Sequence, residues 1–265
     1  AILGLVVHVA TVGTKLRQHG VEIGDTKVCH HLSMGLGDGE VWSILGRNGV
    51  GKSTLLKTMA GLRMPQRGAI QLGGTGLQNL SRRERAQRLG ILFQDSESLF
   101  PATVLETVLT GRHPWTSAMR GESADDVERA RQALACVGLG ALAGRDLTSL
   151  SGGERRRVDL AALMVQEPRI VLLDEPGNHL DMHYQVAVLG DLVRDWKAAG
   201  GAVVAVMHDV NLALRFSDHL MLLYGDGEVA CGTIGELASE SALSRLYGHR
   251  MERVTTATGE WFFPV

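Results

Sequence analysis

Gly46-Arg47-Asn48-Gly49-Val50-Gly51-Lys52-Ser53-Thr54 is the stretch on which the reading of this chain turns. It matches G-x-x-x-x-G-K-[ST]. Ahead of it, Val41-Trp42-Ser43-Ile44-Leu45 predicts a buried strand. Behind it, Thr54 to Ala60 predicts a helix with Leu55, Leu56 and Met59 inward, stopped at Gly61. Strand, glycine-rich loop and helix start follow one another as a phosphate-binding loop requires. Glycines let the backbone wrap closely around phosphate oxygens. Backbone N–H groups and the helix N-terminus favour the anion. On this reading Asn48, Gly49, Gly51 and Thr54 belong to the cradle, Lys52 reaches the β- and γ-phosphates, and Ser53 holds Mg²⁺. The plain alternative is an ordinary glycine-rich turn. Chance should produce the pattern in on the order of 1% of chains this long, and the correct flanks lower that further.

Ile170-Val171-Leu172-Leu173-Asp174-Glu175 is the second informative stretch. A short, wholly apolar strand is expected in a sheet covered on both faces. A carboxylate at the carboxyl end of such a strand sits beside the phosphate loop in this type of fold. Asp174 then binds Mg²⁺, and Glu175 polarises the attacking water. Two carboxylates after a strand also suit a helix N-cap. The third stretch is Leu150-Ser151-Gly152-Gly153-Glu154. Ser151, with Glu154 three residues on, reads as a capping box that opens a helix to Gln166. The same helix start also reads as a second anion site, with Ser151 Oγ and the Gly152 and Gly153 N–H groups open to a γ-phosphate.

The rest of the chain alternates strands and helices. Gly68–Leu72 and Gly90–Phe93 predict strands, the latter ending at Gln94, and Ser81–Leu89 a basic helix. Ser123 caps a helix with Val127, Ala130, Leu134 and Val137 on one face, ended by Gly138. Met182–Ala199 reads as an amphipathic helix and Ala202–Met207 as a buried strand. Leu220–Tyr224 and Glu228–Cys231 flank the turn signal Gly225-Asp226-Gly227. The expected class is α/β with a mostly parallel sheet. Lys15 to Glu40 is strand-like and broken by glycines. Ala1–Thr14 reads as an extra strand or a frayed segment. With no basic stretch ahead of its apolar run, it does not read as a secretory signal.

Composition narrows the functions. With 45% apolar and 21% charged residues in 265, the chain has ample surface to bury, which excludes disorder as its main state. A formal charge of −2 and only 5% aromatic residues argue against bulk nucleic-acid binding. No apolar run reaches the roughly 18–20 residues needed to cross a bilayer. Cys29, Cys136 and Cys231 have no paired spacing, which fits a reducing compartment rather than a disulfide framework.

Together these residues resemble the ATP-binding cassette (ABC) ATPases. Gly46–Thr54 looks like the Walker A loop, Leu150–Glu154 like the signature motif, and Ile170–Glu175 like the Walker B strand with its catalytic Glu. Gln94 stands at the Q-loop position, His208 at that of the switch histidine, and Asn178-His179-Leu180-Asp181 at the D-loop. Six motifs in the family's order cover about residues 16 to 250. The resemblance implies a RecA-like P-loop NTPase core with an antiparallel β subdomain and a helical signature subdomain at about 95–160. The nucleotide-binding domain is then 16–250, with 1–15 an extension and 251–265 a C-terminal tail.

The implied activity is ATP hydrolysis coupled to membrane transport. Glu175, His208, Gln94 and Lys52 are the implied catalytic residues, and Ser53, Gln94 and Asp174 the Mg²⁺ ligands. Two copies sandwich two ATP molecules head to tail, with Ser151, Gly152 and Gly153 of one facing the nucleotide of the other and Asp181 at the junction. Permease subunits are separate integral membrane chains, which dock largely on Gln94–Trp115. A substrate-binding protein takes part indirectly, nucleic acid not at all. The implied location is peripheral, on the cytoplasmic face of the bacterial inner membrane.

Two departures from the family's pattern stand out. Ile23, before Gly24, replaces the usual aromatic residue that stacks on adenine, and Gly177 stands where Thr or Ser is common. Ser81–Ala86, Phe100–Val104, Gly111–Pro114 and His208–Ala213 resemble importers of metal chelates, which carry cobalamin, ferric siderophores or haem. Cobalamin or a siderophore is preferred over haem. The competing resemblance is to soluble ABC proteins of translation or DNA repair. Those usually carry two cassettes or a long coiled coil, and this chain has neither.

Other residues read more plainly. His179 and His183 suit the D-loop and a helix start better than a metal site. His30-His31 reads as a solvated strand pair. The clusters Arg82, Arg83, Arg85, Arg88 and Arg155, Arg156, Arg157 read as solvated or interface faces. Cys136 reads as a small buried apolar residue.

Overall fold

A computed structural model describes residues 5–8, 21–23, 26–29, 32–65, 68–94, 101–117, 121–178, 182–257 and 259–265, with backbone alone for 5–8, 21–23, 26–29 and 182–189. In chain order the first elements are β1 (Leu5–His8), β2 (Val21–Ile23), β3 (Thr26–Cys29), β4 (Ser33–Gly35), β5 (Val41–Gly46), α1 (Lys52–Met59), β6 (Ala69–Leu72) and β7 (Thr75–Gly76). Next come α2 (Arg82–Arg88), β8 (Leu89–Leu92), α3 (Val104–Leu109), α4 (Ala124–Cys136), α5 (Gly152–Gln166), β9 (Ile170–Asp174) and α6 (Met182–Ala198). The last are β10 (Ala202–Val206), α7 (Val210–Phe216), β11 (His219–Leu223), β12 (Val229–Thr233), α8 (Ile234–Leu237), α9 (Glu240–Tyr247), β13 (Met251–Thr256) and β14 (Gly259–Pro264). The chain divides into two compact units, 1–79 with 196–265, and 80–195.

In the first unit β10, β5 and β11 run parallel, and β12 returns antiparallel to β11. β5 and β10 are buried along their whole length, as an apolar run without alternation requires. Leu45, Val210, Leu220, Leu222, Leu246 and Phe262 form one core against the sheet. In the segment read from sequence as a tail, β13 and β14 pair antiparallel, and Phe262 of β14 is 1% exposed. Asn211 on α7 holds that strand by two bonds, Nδ2 to Phe262 O at 3.1 Å and Phe262 N to Oδ1 at 2.9 Å. A separate antiparallel sheet has the order β4-β1-β6-β7, so the first described segment of the chain pairs on both sides. β2 and β3 form their own hairpin.

In the second unit β8 and β9 are parallel, and α3, α4 and α5 share a core of Val104, Val108, Leu134, Val158 and Val165. A Cβ at Gly111 would lie 2.1 Å from Ala162 O, so glycine lets this turn lie on the α5 backbone. Cys136 is exposed, against the sequence reading. It lies two residues past Leu134, about 200° round the helix from that buried side chain.

Arg112 and Asp126 form a buried ion pair at 2.6 Å, and Arg112 also bonds Val165 O at 2.9 Å and Glu167 at 3.2 Å. The Ser123 amide holds the Asp126 carboxyl below the ordinary aspartate range, helped by the Ser123 hydroxyl and Arg112 and opposed by burial. A depressed carboxyl stabilises the fold above its unfolded-state pKa and loses that contribution as pH falls through the folded value. Asp126→Asn should therefore cost about 2 kcal/mol at pH 7, less than a bare buried orphan because Glu167 still pairs Arg112. Urea unfolding should show the gap to the parent chain starting to close below about pH 3.9, where the unfolded-state carboxyl protonates, and vanishing only at the lower pH at which the folded carboxyl protonates.

Candidate functional site

The first unit holds the glycine-rich loop of residues 46–54. The helix after it begins at Lys52, two residues before the predicted Thr54, because Gly51 at φ 99° turns the loop straight into the first helical turn. Gly49 is also left-handed, at φ 81°, a region that side chains with a Cβ seldom occupy. Gly46 closes the strand where a Cβ would meet Leu223 O at 2.8 Å. Lys52 is 5% exposed, and its ammonium donates to the carbonyls of Gly46 at 2.8 Å and Arg47 at 3.1 Å. The positive charge is held inside the curve of its own loop. Asn48 and Gly49 are exposed, and Ser53 and Thr54 half-buried. No acidic residue occupies the first turn of α1, so nothing there opposes an anion at the helix start.

His208 reaches the same edge of this sheet. β10 lies parallel to β5, and Met207 N donates to Ile44 O at 3.2 Å. Asp209 then caps α7 by accepting from the N–H groups of Asn211 at 2.7 Å and Leu212 at 3.2 Å. His208 stands exposed just ahead of this cap.

The second unit holds the carboxylates. Leu92 pairs with Leu173, so Gln94 and Asp174 leave their strands at one edge. Asp174 is 2% exposed and Glu175 8%. Glu175 has φ 47°, uncommon for a residue with a Cβ. Asn178 holds it twice, through N–H to Glu175 O at 3.1 Å and Nδ2 to Oε2 at 2.5 Å.

Arg156 was missed in the sequence. It is not on a solvated face but 4% exposed. Its guanidinium donates to the carbonyls of Phe93, Gln94 (3.5 Å), Asp174 (2.8 Å), Glu175 (2.9 Å) and Pro176 (3.4 Å). Its spacing from the buried Leu160 and Leu163, four and seven residues on, was the available signal. Arg155 is exposed, and half-buried Arg157 donates to Val137 O at 3.1 Å.

The predicted capping box at the start of α5 is present. Ser151 Oγ accepts from Glu154 N at 3.3 Å and donates to Glu154 Oε2 at 2.9 Å. Glu154 thus engages the hydroxyl on both sides. The Ser151 amide, then the hydroxyl, hold the Glu154 carboxyl below its ordinary range. Gly152 is exposed and Gly153 half-buried beside it.

The first unit thus collects Asn48, Gly49, Gly51, Lys52, Ser53, Thr54 and His208, and the second Gln94, Ser151, Gly152, Gly153, Asp174 and Glu175. Gly24, His30, His31, His179, Leu180 and Asp181 lie outside the described residues, and Ile23 is described as β2 backbone alone. Among the described residues no group of three or more His, Cys, Asp or Glu could hold a metal ion, and no helix is long and apolar enough to cross a membrane.

Comparison with known proteins agrees with this chemistry. The family model described as "ABC transporter" matches residues 29–178. A hemin import ATP-binding protein of Myxococcus xanthus (strain DK1622) is 39% identical over 248 residues, covering 90% of this chain and 92% of that one. The ferric enterobactin transport ATP-binding protein of Escherichia coli (strain K12) is 35% identical over 238 residues, covering 89% and 88%. Among solved structures, an inward-facing transporter described as metal-chelate type superposes with a TM-score of 0.82 at 27% identity, covering 99% of this chain and 97% of that one. The dimeric structure of a bacterial ABC transporter cassette gives a TM-score of 0.72 at 26% identity, covering 87% and 98%. A glycine loop closed around its lysine, buried carboxylates at the end of a parallel strand and a family match over more than half of the chain have one reading in common: this protein belongs to the ABC transporter family, as an ATP-binding subunit that hydrolyses ATP.

Proposed function

We propose that the chain powers uptake of a metal chelate through separate membrane subunits. The observation that carries this reading is the hemin import protein, similar over 90% of the chain. The ferric enterobactin relative supports it. Haem therefore stands beside ferric siderophores as a candidate cargo, and the sequence preference against haem is dropped.

The roles follow from the donors. The loop N–H groups and Lys52 bind the phosphates of ATP. Ser53, Gln94 and Asp174 present oxygen donors suited to Mg²⁺. Mg²⁺ held by these groups would supply charge neutralisation for the phosphates. Glu175 takes a proton from the attacking water as its oxygen bonds the γ-phosphorus and the bond to ADP breaks. His208 positions the γ-phosphate. Ser151, Gly152 and Gly153 complete the site of a second copy, head to tail, with Asp181 at the junction. To do so, the Ser151 hydroxyl must exchange Glu154 for phosphate. The cassette spans 16–250, its helical part about 95–160. Phe93 and Trp115, both exposed, support the 94–115 segment as part of the face offered to the permease. On this reading the chain works peripherally, on the cytoplasmic side of the bacterial inner membrane, with a substrate-binding protein acting upstream.

Deletion of this chain, followed by uptake of labelled hemin, ferric siderophores and cobalamin, tests the proposal. Loss of one cargo is expected, and unchanged uptake of all three would overturn it. Pull-down from detergent-solubilised membranes should recover an integral membrane partner.

Base selectivity gives a second test. With Ile23 in place of a stacking aromatic, phosphates and Mg²⁺ dominate binding. GTP should compete with ATP within about tenfold, a gap of ~1.4 kcal/mol. Ile23→Tyr should tighten ATP by ~1 kcal/mol, the scale of one aromatic stack. Strong ATP selectivity in the unmutated chain would assign base reading to another residue.

A further inference from the structure

We propose that Arg156 is a positioning residue for hydrolysis, setting the main chain of Gln94 and Glu175 from the buried side of α5. The proposal rests on the reading of Glu175 as the base. Three observations carry it. First, the acceptors come from both strand exits: Phe93 and Gln94 after β8, and Asp174, Glu175 and Pro176 at the end of β9. Nη1 serves the first exit and Nη2 the second, with Nε reaching Pro176 O. Only a planar, rigid fork of five N–H donors does this from one side chain. The single nitrogen of a lysine cannot reproduce the fork.

Second, Glu175 is left-handed. A residue with a Cβ keeps such a conformation only where its surroundings over-determine it. Arg156 at 2.9 Å and Asn178 at 3.1 Å both bond the Glu175 carbonyl, and Asn178 Nδ2 also bonds the carboxylate. Through these carbonyl bonds Arg156 acts on the backbone that aims the side chain.

Third, Arg156 lies five residues after Ser151 on the same helix, about 7.5 Å along its axis. The helix that presents Ser151, Gly152 and Gly153 to a second copy's nucleotide also holds the Glu175 turn of its own copy. A buried arginine satisfied by carbonyls would be explained by packing alone if it touched a single loop. Joining Gln94 to Glu175 gives it a consequence for turnover.

The test uses the full-length chain with Arg156→Met, Arg156→Lys, Glu175→Gln and the double variant Arg156→Met/Glu175→Gln. Single-turnover hydrolysis and binding of a fluorescent ATP analogue are measured for each, with urea unfolding to establish that each is folded. Arg156→Met should lower kcat by about tenfold or more while the ATP Kd moves less than about threefold, and Arg156→Lys should fall between it and the parent chain. Because Arg156 acts through Glu175, the double variant should be no slower than Glu175→Gln alone.

The proposal is overturned if kcat is unchanged in Arg156→Met, if kcat and ATP affinity fall together, or if the two losses multiply. Should Arg156→Met fail to fold, Arg156→Gln, which keeps two donors on one nitrogen, is judged by the same two ratios. A Glu175→Gln chain that still turns over brings down the reading of the base, and this proposal with it. A dead Glu175→Gln chain beside an Arg156→Met chain of normal kcat overturns the Arg156 proposal alone.

Discussion

Glu175→Gln is expected to lower ATP hydrolysis by roughly 10²-fold or more, the scale of a lost general base, while ATP binding persists. Glutamine has the shape of glutamate, and its amide oxygen can still accept from Asn178 Nδ2, which bonds Glu175 Oε2 in the parent chain. The left-handed backbone and its bond from Arg156 are untouched. What goes is the carboxylate that, on the proposed reading, accepts the proton of the attacking water. With the nucleotide bound and the chemical step blocked, an ATP-bound dimer should accumulate, visible by size-exclusion chromatography with ATP and Mg²⁺. Lys52→Ala should fail earlier, at binding, because it removes the charge held by the Gly46 and Arg47 carbonyls at the centre of the loop. Near-normal turnover in Glu175→Gln would sink the assignment of the base.

The second large effect is a rescue. Lys52→Ala breaks the phosphate loop of its own copy. Gly153→Asp places a side chain and a negative charge at the start of α5, beside the Glu154 carboxylate already there. In either variant alone, any pairing of two copies would contain two damaged sites. A mixture contains dimers in which both lesions fall on one site and the other is intact, provided that each site joins Lys52 of one copy to Gly153 of the other. ATP-driven dimer formation should then return in the mixture from near zero in either component. If each site were built within one chain, every site in the mixture would stay broken. The readout is dimerisation, since turnover can require both sites. A mixture no better than its folded components counts against the head-to-tail arrangement.

Much of the site was legible because its chemistry is local. Gly46 to Thr54 needs only a strand, glycines able to turn, and a helix start, all contiguous in the sequence. The Ser151–Glu154 box is likewise a short-range pattern, and the structure repeats it bond for bond. The apolar runs at 41–45, 170–173 and 202–207 announced buried parallel strands because they lack polar alternation. Where reading failed, a non-local partner decided the outcome. Arg156 looked like one of three surface cations until carbonyls from two strand exits were found around it. The closing segment 251–265 looked like a tail until Asn211, about 50 residues away, was found bonded to Phe262.

Sequence by itself therefore determined the family, the glycine-rich turn between β5 and α1 and the buried strand that ends at Asp174, since each is written in neighbouring residues whose backbone preferences suffice to shape it. Tertiary structure alone decided which buried polar groups distant segments hold. It brought the carbonyls of both strand exits around Arg156, so that the left-handed Glu175 is bonded from α5, and it tied Phe262 to Asn211. The physical reason is that a buried donor or acceptor must find a partner, and the partner it finds depends on which segments the fold brings together.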